Sequence, residues 1–478
     1  MRCIVWYDNS KTLKNMSNTT IDRRNFLKVL GAGTAVASTN LLYGCADAKT
    51  SDTVSGSNQG EVPTDKMTYQ INSRTGDRVS LLGYGCMRWP TRQKADGSGE
   101  EIDQETVNEL VDYAIAHGVN YFDTAPVYVR GMSEQATGIA LSRHPRDTYF
   151  IATKLSSHHR DVPEWRTVDG VKKLLEQSMK NLQVDYLDYY LIHGVGIGGM
   201  EDLKDRLYTN GVLDFLLKER EAGRIRNLGW SFHGEVEVFD HLLACGIPWD
   251  FAQIQLNYVD WKDASGWNVN AEYLYNELVK HNVPAVIMEP LLGGRLSRLN
   301  TLMLAKIKQA RPNDSPAAWS FRFSGTPEGV LTVLSGMTYM EHLQENIRTF
   351  SPLEPVTEEE KKILEEVKEW MLHSDFIPCT ECQYCMPCPY GLDIPGIFAH
   401  YNRCVNDELV AKSSQDKNYR EARRAFLVGY DRRVPKLRQA GHCIGCEKCL
   451  RKCTQRINIP EQMRRIDAYV EQLKQETL

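Results

Sequence analysis

The sequence predicts an α/β protein in two parts: a (β/α)8 TIM barrel over residues 67–355 and a small, mainly helical, cysteine-rich domain over residues 374–478. Three observations predict it. Between about residues 67 and 350, eight short apolar runs alternate with amphipathic stretches, the strand count and span of such a barrel. Eight of the thirteen cysteines fall in two tight runs near the C-terminus. A chain of 478 residues is long for one domain and comfortable for two. Composition is ordinary for a globular protein. A net charge of −5 gives no argument for nucleic acid or an anionic membrane surface, and no stretch approaches the ~20 apolar residues of a membrane span.

Taken in order, residues 1–46 read as an address. Arg23-Arg24-Asn25-Phe26-Leu27-Lys28 precedes a mildly apolar run, Val29 to Ala37, and resembles a Tat export signal. The stretch before Met16 is long for such a signal, which suggests a start at Met16. Leu42-Tyr43-Gly44-Cys45 resembles a lipoprotein site with Cys45 as the lipid anchor, although Tyr43 is bulkier than such sites usually accept. The expected location is the periplasm, free or membrane-anchored, or the cytoplasm if the signal is unused. Residues 47–66 are rich in Ser, Thr, Gly and Asp and read as a tether.

Thr68–Ile71 and Arg78–Ser80, joined through Thr75-Gly76, read as a hairpin across the bottom of the barrel. The eight strands expected are Val79–Leu82, Tyr121–Asp123, Tyr149–Thr153, Tyr186–Ile192, Asn227–Ser231, Phe251–Leu256, Ala285–Met288 and Val330–Leu334. Helical patterns fall at Gln104–Ala116, Val168–Asn181, Asp214–Ala222, Glu235–Cys245, Glu272–Lys280 and Pro316–Phe323. Residues 356–373 read as a linker helix. Residues 395–438 read as helical and turn basic through Arg420, Arg423, Arg424, Arg432, Arg433, Lys436 and Arg438, either a solvated face or a dock for an acidic redox partner.

The cysteine runs are Cys379-x-x-Cys382-x-x-Cys385-x-x-Cys388 and Cys443-x-x-Cys446-x-x-Cys449-x-x-x-Cys453. Triplets at a spacing of three, each with a further cysteine, follow the ferredoxin-type pattern of two [4Fe–4S] clusters, in which the fourth thiolate of each run serves the other cluster. One cluster then takes Cys379, Cys382, Cys385 and Cys453, the other Cys443, Cys446, Cys449 and Cys388. Structural zinc prefers separated pairs, and disulfides bridge such spacings poorly. The first run has one residue fewer before its fourth cysteine, and Thr454 stands where proline often follows.

Barrel enzymes carry their chemistry at the C-terminal ends of strands. There the sequence places Asp123, Tyr128, Lys154 and His193. Each alone is compatible with packing or capping; together they suit carbonyl reduction. A phenol ionises near ~10, and a neighbouring ammonium lowers that value. Tyr128 is then the general acid, Lys154 its tuner, Asp123 the partner of Lys154, and His193 a donor that polarises the substrate oxygen.

Phe122-Asp123-Thr124-Ala125-Pro126-Val127-Tyr128 with Ser133-Glu134, Ala152-Thr153-Lys154, Leu191-Ile192-His193 and Gln253-Ile254-Gln255-Leu256-Asn257 resemble the signature of the aldo/keto reductase family. With the cysteine runs and the export signal, the chain is similar to its iron–sulfur branch. The resemblance implies a carbonyl or alcohol substrate and NAD or NADP lying across the barrel mouth. It places Gly85, Cys86 and Met87 against the cofactor, Ser231 and Gln253 on the carboxamide, and Met288 where an aromatic ring usually stacks. It places the Leu291–Gly294 loop, with Gly293, over the pyrophosphate, and Glu345 and Asn346 at the adenine. Phe232 stands where the family commonly has Asn. Gly336, Met337 and His342 replace its basic residues for the 2′-phosphate, so NADP preference is not implied. Cys86 by itself reads as a small buried apolar residue, and His158 and His159 as loop residues.

A nicotinamide moves two electrons and a [4Fe–4S] cluster one; no flavin motif is present to split the pair. Three readings stay open: a relay between an outside carrier and the barrel, structural clusters, or a barrel serving as scaffold for electron transfer.

Overall fold

The computed structural model describes residues 61–158, 162–263 and 269–478. The export signal, Cys3, Cys45 and His159 lie outside them. The described residues form one compact unit that holds both the barrel and the cysteine-rich domain.

Strands β1 (Tyr69–Ile71) and β2 (Arg78–Ser80) pair antiparallel, Tyr69 opposite Ser80. The hairpin floors the barrel, and the Tyr189 hydroxyl rises from the interior to donate to Asp77 Oδ2 at 2.8 Å. The first barrel strand is β3 (Leu82–Gly85), not Val79–Leu82. Val79 and Ser80 are used by the hairpin, and the chain turns at Leu81 before the barrel begins. A second hairpin, β4 (Thr91–Gln93) with β5 (Glu100–Ile102), follows.

The alternating part then runs α1 (Gln104–Ala116), β6 (Tyr121–Asp123), α2 (Ser133–Leu141), β7 (Phe150–Leu155), α3 (Val168–Leu182), β8 (Leu187–Val195), α4 (Gly199–Leu203) and α5 (Val212–Glu221). It continues through β9 (Ile225–Phe232), α6 (Val236–Ala244), β10 (Phe251–Gln255), α7 (Ala271–Lys280), β11 (Ala285–Met288), α8 (Thr301–Ala310), α9 (Pro316–Gly325), β12 (Val330–Ser335) and α10 (Met340–Thr349). β3 and β6 to β12 close into a barrel in which β12 pairs parallel with β3. β8 is buried at every position, as a parallel strand covered on both faces must be. Val79, Tyr121, Tyr189, Phe251 and Leu331 fill the interior. α3 shows how a covering helix forms: Thr167 caps it by accepting from the Gly170 N–H at 3.2 Å, Val171, Leu174, Leu175, Met179 and Leu182 make the buried stripe, and Gln183 ends it in the left-handed conformation.

The expected linker helix, α11 (Glu358–Leu372), is packed rather than free: Leu364, Val367 and Met371 lie against Leu296, Met303, Ile307 and Trp319. The cysteine-rich domain adds α12 (Ile394–Asn406), α13 (Tyr419–Arg433) and α14 (Ile459–Gln475) around a core of its own, with Phe398, Phe426, Met463 and Ile466 at its centre.

Candidate active site at the barrel mouth

Asp123 ends β6, Lys154 lies near the end of β7, His193 near the end of β8, and Tyr128 opens the short turn of helix after β6. Lys154 Nζ donates to Asp123 Oδ1 at 2.6 Å and to the Thr124 carbonyl at 2.7 Å. It also lies 4.8 Å from the centre of the Tyr128 ring, which stands 5.9 Å from the His193 ring. Burial pushes the Asp123 carboxyl up and the Lys154 ammonium down, and their mutual attraction opposes both. Burial also holds the Tyr128 phenol well above its usual range, helped by Tyr384 and Asp123. This corrects the expectation that the ammonium would bring it down, because loss of water outweighs the nearby charge. Ser156 Oγ lies 2.8 Å from His193 Nδ1; with that hydroxyl donating, Nε2 carries the proton toward the mouth.

The cavity above these groups is lined by Gly85, Met87, Ser231, Gln253, Met288 and Gly293, which places six of the expected cofactor residues at the mouth. Four others are elsewhere. Cys86 is fully buried in the core, its thiol pushed up by burial and 3.6 Å from the Tyr84 carbonyl. Leu291 packs against the core. Asn346 is buried and donates to Ser335 Oγ at 3.0 Å, and Glu345 lines a separate groove with Arg311 and Arg348. Phe232 packs outward on Trp230 and Phe239, so the missing Asn is not replaced by a ring in the mouth; His233 lines the cavity instead.

The roof of the cavity carries no signal in the sequence. Thr380, Cys382, Tyr384 and Thr454 of the cysteine-rich domain line the same cavity, with Arg88 and Glu289 from the barrel. The Tyr384 hydroxyl lies 2.9 Å from His193 Nε2. A Cβ on Gly293 would meet Thr380 backbone at 2.4 Å, so this loop is seated on the domain. Burial raises the Glu289 carboxyl to about 8, with Asp260 adding to it. No local pattern announces that a residue 191 positions from His193 lands on it.

The cysteines sort as two sets. Cys379 and Cys385 interact electrostatically with Cys382 and Cys453, Cys388, Cys443, Cys446 and Cys449 line one small cavity, and Cys385 also feels Cys449 across the two sets. Burial pushes Cys382 and Cys449 up to about 11, so iron must displace protons to bind. The donor set fits two four-thiolate clusters. For a nicotinamide, the buried Gln253 Oε1 has no partner and suits a carboxamide N–H, whereas the Gly293 loop is taken by Thr380.

The comparisons with known proteins agree with this geometry. A model of the aldo/keto reductase family matches residues 81–369, and one of a 4Fe-4S dicluster domain matches residues 378–459. Among curated proteins the chain is 23% identical to L-galactose dehydrogenase of Arabidopsis thaliana over 63% of this chain and 93% of that protein. It is 32% identical to probable aldo-keto reductase 1 of Glycine max over 33% of this chain, spanning 42% of the soybean protein's length. The fold matches the holo form of aldo-keto reductase AKR11C1 from Bacillus halodurans with a TM-score of 0.51 at 22% identity, covering 63% of this chain and 96% of that one. The chain belongs to the aldo/keto reductase family, with a 4Fe-4S dicluster domain behind its barrel.

Proposed function

We propose that the barrel mouth interconverts a carbonyl and its alcohol, with Tyr128 as general acid and base, and that two [4Fe–4S] clusters stand beside it. The observation that carries this is the buried Lys154, fixed by Asp123 at 2.6 Å and set against the Tyr128 ring beside His193. Asp123 holds the ammonium in place. The ammonium favours the phenolate left when Tyr128 gives its proton to the substrate oxygen. His193 Nε2 donates to the same oxygen and stabilises charge developing there. A bound nicotinamide supplies the hydride; Gln253 and Ser231 are the residues proposed to hold its carboxamide. The lack of Arg or Lys at Gly336, Met337 and His342 favours NAD over NADP. Tyr128→Phe in the anaerobically purified chain is the test. Reduction of 4-nitrobenzaldehyde with NADH is expected to fall at least about a hundredfold while iron content and cluster absorbance hold; retained turnover removes the assignment.

The second cluster is proposed as the port to an acidic one-electron carrier. Cys446 is exposed, the apolar side chains of Leu437 and Ile444 face solvent, and Lys436 and Arg438, either side of Leu437 in the sequence, and Lys448, two residues after Cys446, are exposed as well. Arg23-Arg24 supports export of the folded chain; replacing both with Lys should leave it in the cytoplasmic fraction.

A further inference from the structure

The loop of the first cysteine run is built to hold one side chain in the barrel mouth. Glu381 and Gln383, either side of Cys382, both sit in the left-handed region, with φ of 53° and 64°. Non-glycine residues adopt that region at an energetic cost and keep it only where surroundings impose it. The second run repeats the device: Gly445 and Glu447, either side of Cys446, have φ of 71° and 60°. Both loops therefore turn outward the residue that precedes the third cysteine. In the second run that residue is the exposed Lys448. In the first it is Tyr384, whose hydroxyl meets His193 Nε2 at 2.9 Å and whose ring stands 5.6 Å from that of His158. The loop is pinned upstream as well, where Arg88 Nη2 donates to the Thr380 carbonyl at 3.3 Å.

We propose that Tyr384 is a specificity-determining residue lent to the barrel by the iron–sulfur domain: its phenol oxygen keeps the seat on His193 that the substrate oxygen must take. The inference rests on the catalytic reading above, which assigns His193 to that oxygen. A substrate then binds only if its own oxygen replaces the phenol on Nε2 and its body fits the space the ring leaves. The Tyr384–His193 hydrogen bond is subtracted from its affinity, as for any site whose competent form must first be made. Because Tyr384 lies between Cys382 and Cys385, seating a substrate moves the loop that carries two thiolates. The coupling is reciprocal: what substrate does to the loop, the loop's state does to substrate.

The test uses the full-length, cluster-loaded chain purified without oxygen, as wild type, Tyr384→Phe and Tyr384→Ala. The non-reacting probe is 4-nitrobenzyl alcohol, titrated by calorimetry with no nicotinamide present; 4-nitrobenzaldehyde with NADH gives the kinetics. Removing the hydroxyl should tighten Kd for the alcohol about fivefold, the worth of one hydrogen bond, and lower KM for the aldehyde in step, the gain appearing in KM rather than kcat. Tyr384→Ala should tighten at least as much. Ligand-free variants should match wild type in iron content, and the alcohol should alter the electron paramagnetic resonance spectrum of the reduced wild-type protein. Unchanged or weaker Kd in both variants overturns the proposal, as does failure of the alcohol to bind all three proteins. Tyr128→Phe separates the two readings: turnover surviving there removes the catalytic assignment whatever Tyr384 does, whereas a dead Tyr128→Phe beside an unmoved Kd in the Tyr384 variants removes this inference alone.

Discussion

Burial sets the protonation of single side chains in both halves of the molecule. At the mouth it holds Tyr128 protonated well past the usual phenol range, so carbonyl reduction, which needs the phenol as acid, should show no alkaline loss below about pH 10 from this group. A pH profile of kcat for 4-nitrobenzaldehyde checks that; an alkaline limb near neutrality that disappears in Tyr128→Phe would contradict it. In the second core the sign reverses. His400 is 4% exposed, bonded to the Phe426 carbonyl at 3.0 Å through Nε2, and burial lowers it to about 4, with Arg433 and Arg403 adding to that. The unfolded chain takes up this proton near ~6.5. The fold therefore keeps the full contribution of a neutral His400 above that pH and loses it as pH falls toward 4, up to about 3 kcal/mol. Urea midpoints read by far-ultraviolet circular dichroism should drop between pH 7.5 and 5 in wild type. His400→Gln should be weaker at pH 7.5 yet show a shallower drop; an equal drop in both rules His400 out.

Among the elements, the join between barrel and tail depends on how α11 begins. Thr357 and Glu360 form a capping box, the Thr357 N–H donating to Glu360 Oε2 at 2.9 Å and the Glu360 N–H to Thr357 Oγ1 at 3.2 Å. The same carboxylate takes Arg322 Nη2 from α9 at 2.8 Å and a further bond from Arg311. Burial pushes Glu360 up, but Arg322, the Thr357 N–H and Arg311 hold it at about 2. That contribution is present above about pH 4.5 and fades only as pH falls through 2. Glu360→Gln leaves Arg322, 3% exposed, with only the more distant Asp314 at 3.8 Å as counter-charge and should cost about 2–3 kcal/mol, read as a lower urea midpoint at pH 7; a change below about 0.5 kcal/mol would show the ion pair to be dispensable. The helix itself was readable from its Glu and Lys pattern, but its packing was not, because Leu364, Val367 and Met371 show a buried face without naming the surface they meet. Strands were readable where apolar runs stand alone, as in β8. β3 was misread because Val79-Ser80-Leu81-Leu82 runs apolar through a turn that no Gly or Pro marks, while Gly83 and Gly85 weaken the pattern where the strand really lies. Gly85 is there for close approach: a Cβ would sit 3.3 Å from Ser335 backbone. The four mouth residues were legible because they lie at or just beyond the ends of three strands, Asp123 and Tyr128 after β6, Lys154 on β7 and His193 on β8. Tyr384 was not, because its partner is supplied by tertiary packing.

For the molecule as a whole, the pairing of thiols decides what the tail does to the barrel. Cys379, Cys382 and Cys385 lie with Cys453 of the other run, on the side of Glu289 and the mouth; Cys443, Cys446 and Cys449 lie with Cys388, toward solvent. Under the proposed crossed sets the two ends of the domain are tied together, and the loop carrying Tyr384 is held by a cysteine from the far run. Double variants separate crossed from uncrossed pairing by iron content. If the sets are crossed, Cys382→Ser with Cys453→Ser strikes one set twice and should remove about half the iron, while Cys382→Ser with Cys388→Ser strikes both and should remove nearly all. Uncrossed pairing gives the opposite order. The crossed arrangement also requires that Cys453→Ser, although far along the chain from Tyr384, loosen the seat on His193 and change the binding of 4-nitrobenzyl alcohol. Cys388→Ser, which shares a run with Tyr384, should leave that binding nearly as it was. The residue closer in sequence is thus the one expected to matter less at the mouth, a result that only the three-dimensional pairing of the runs can produce.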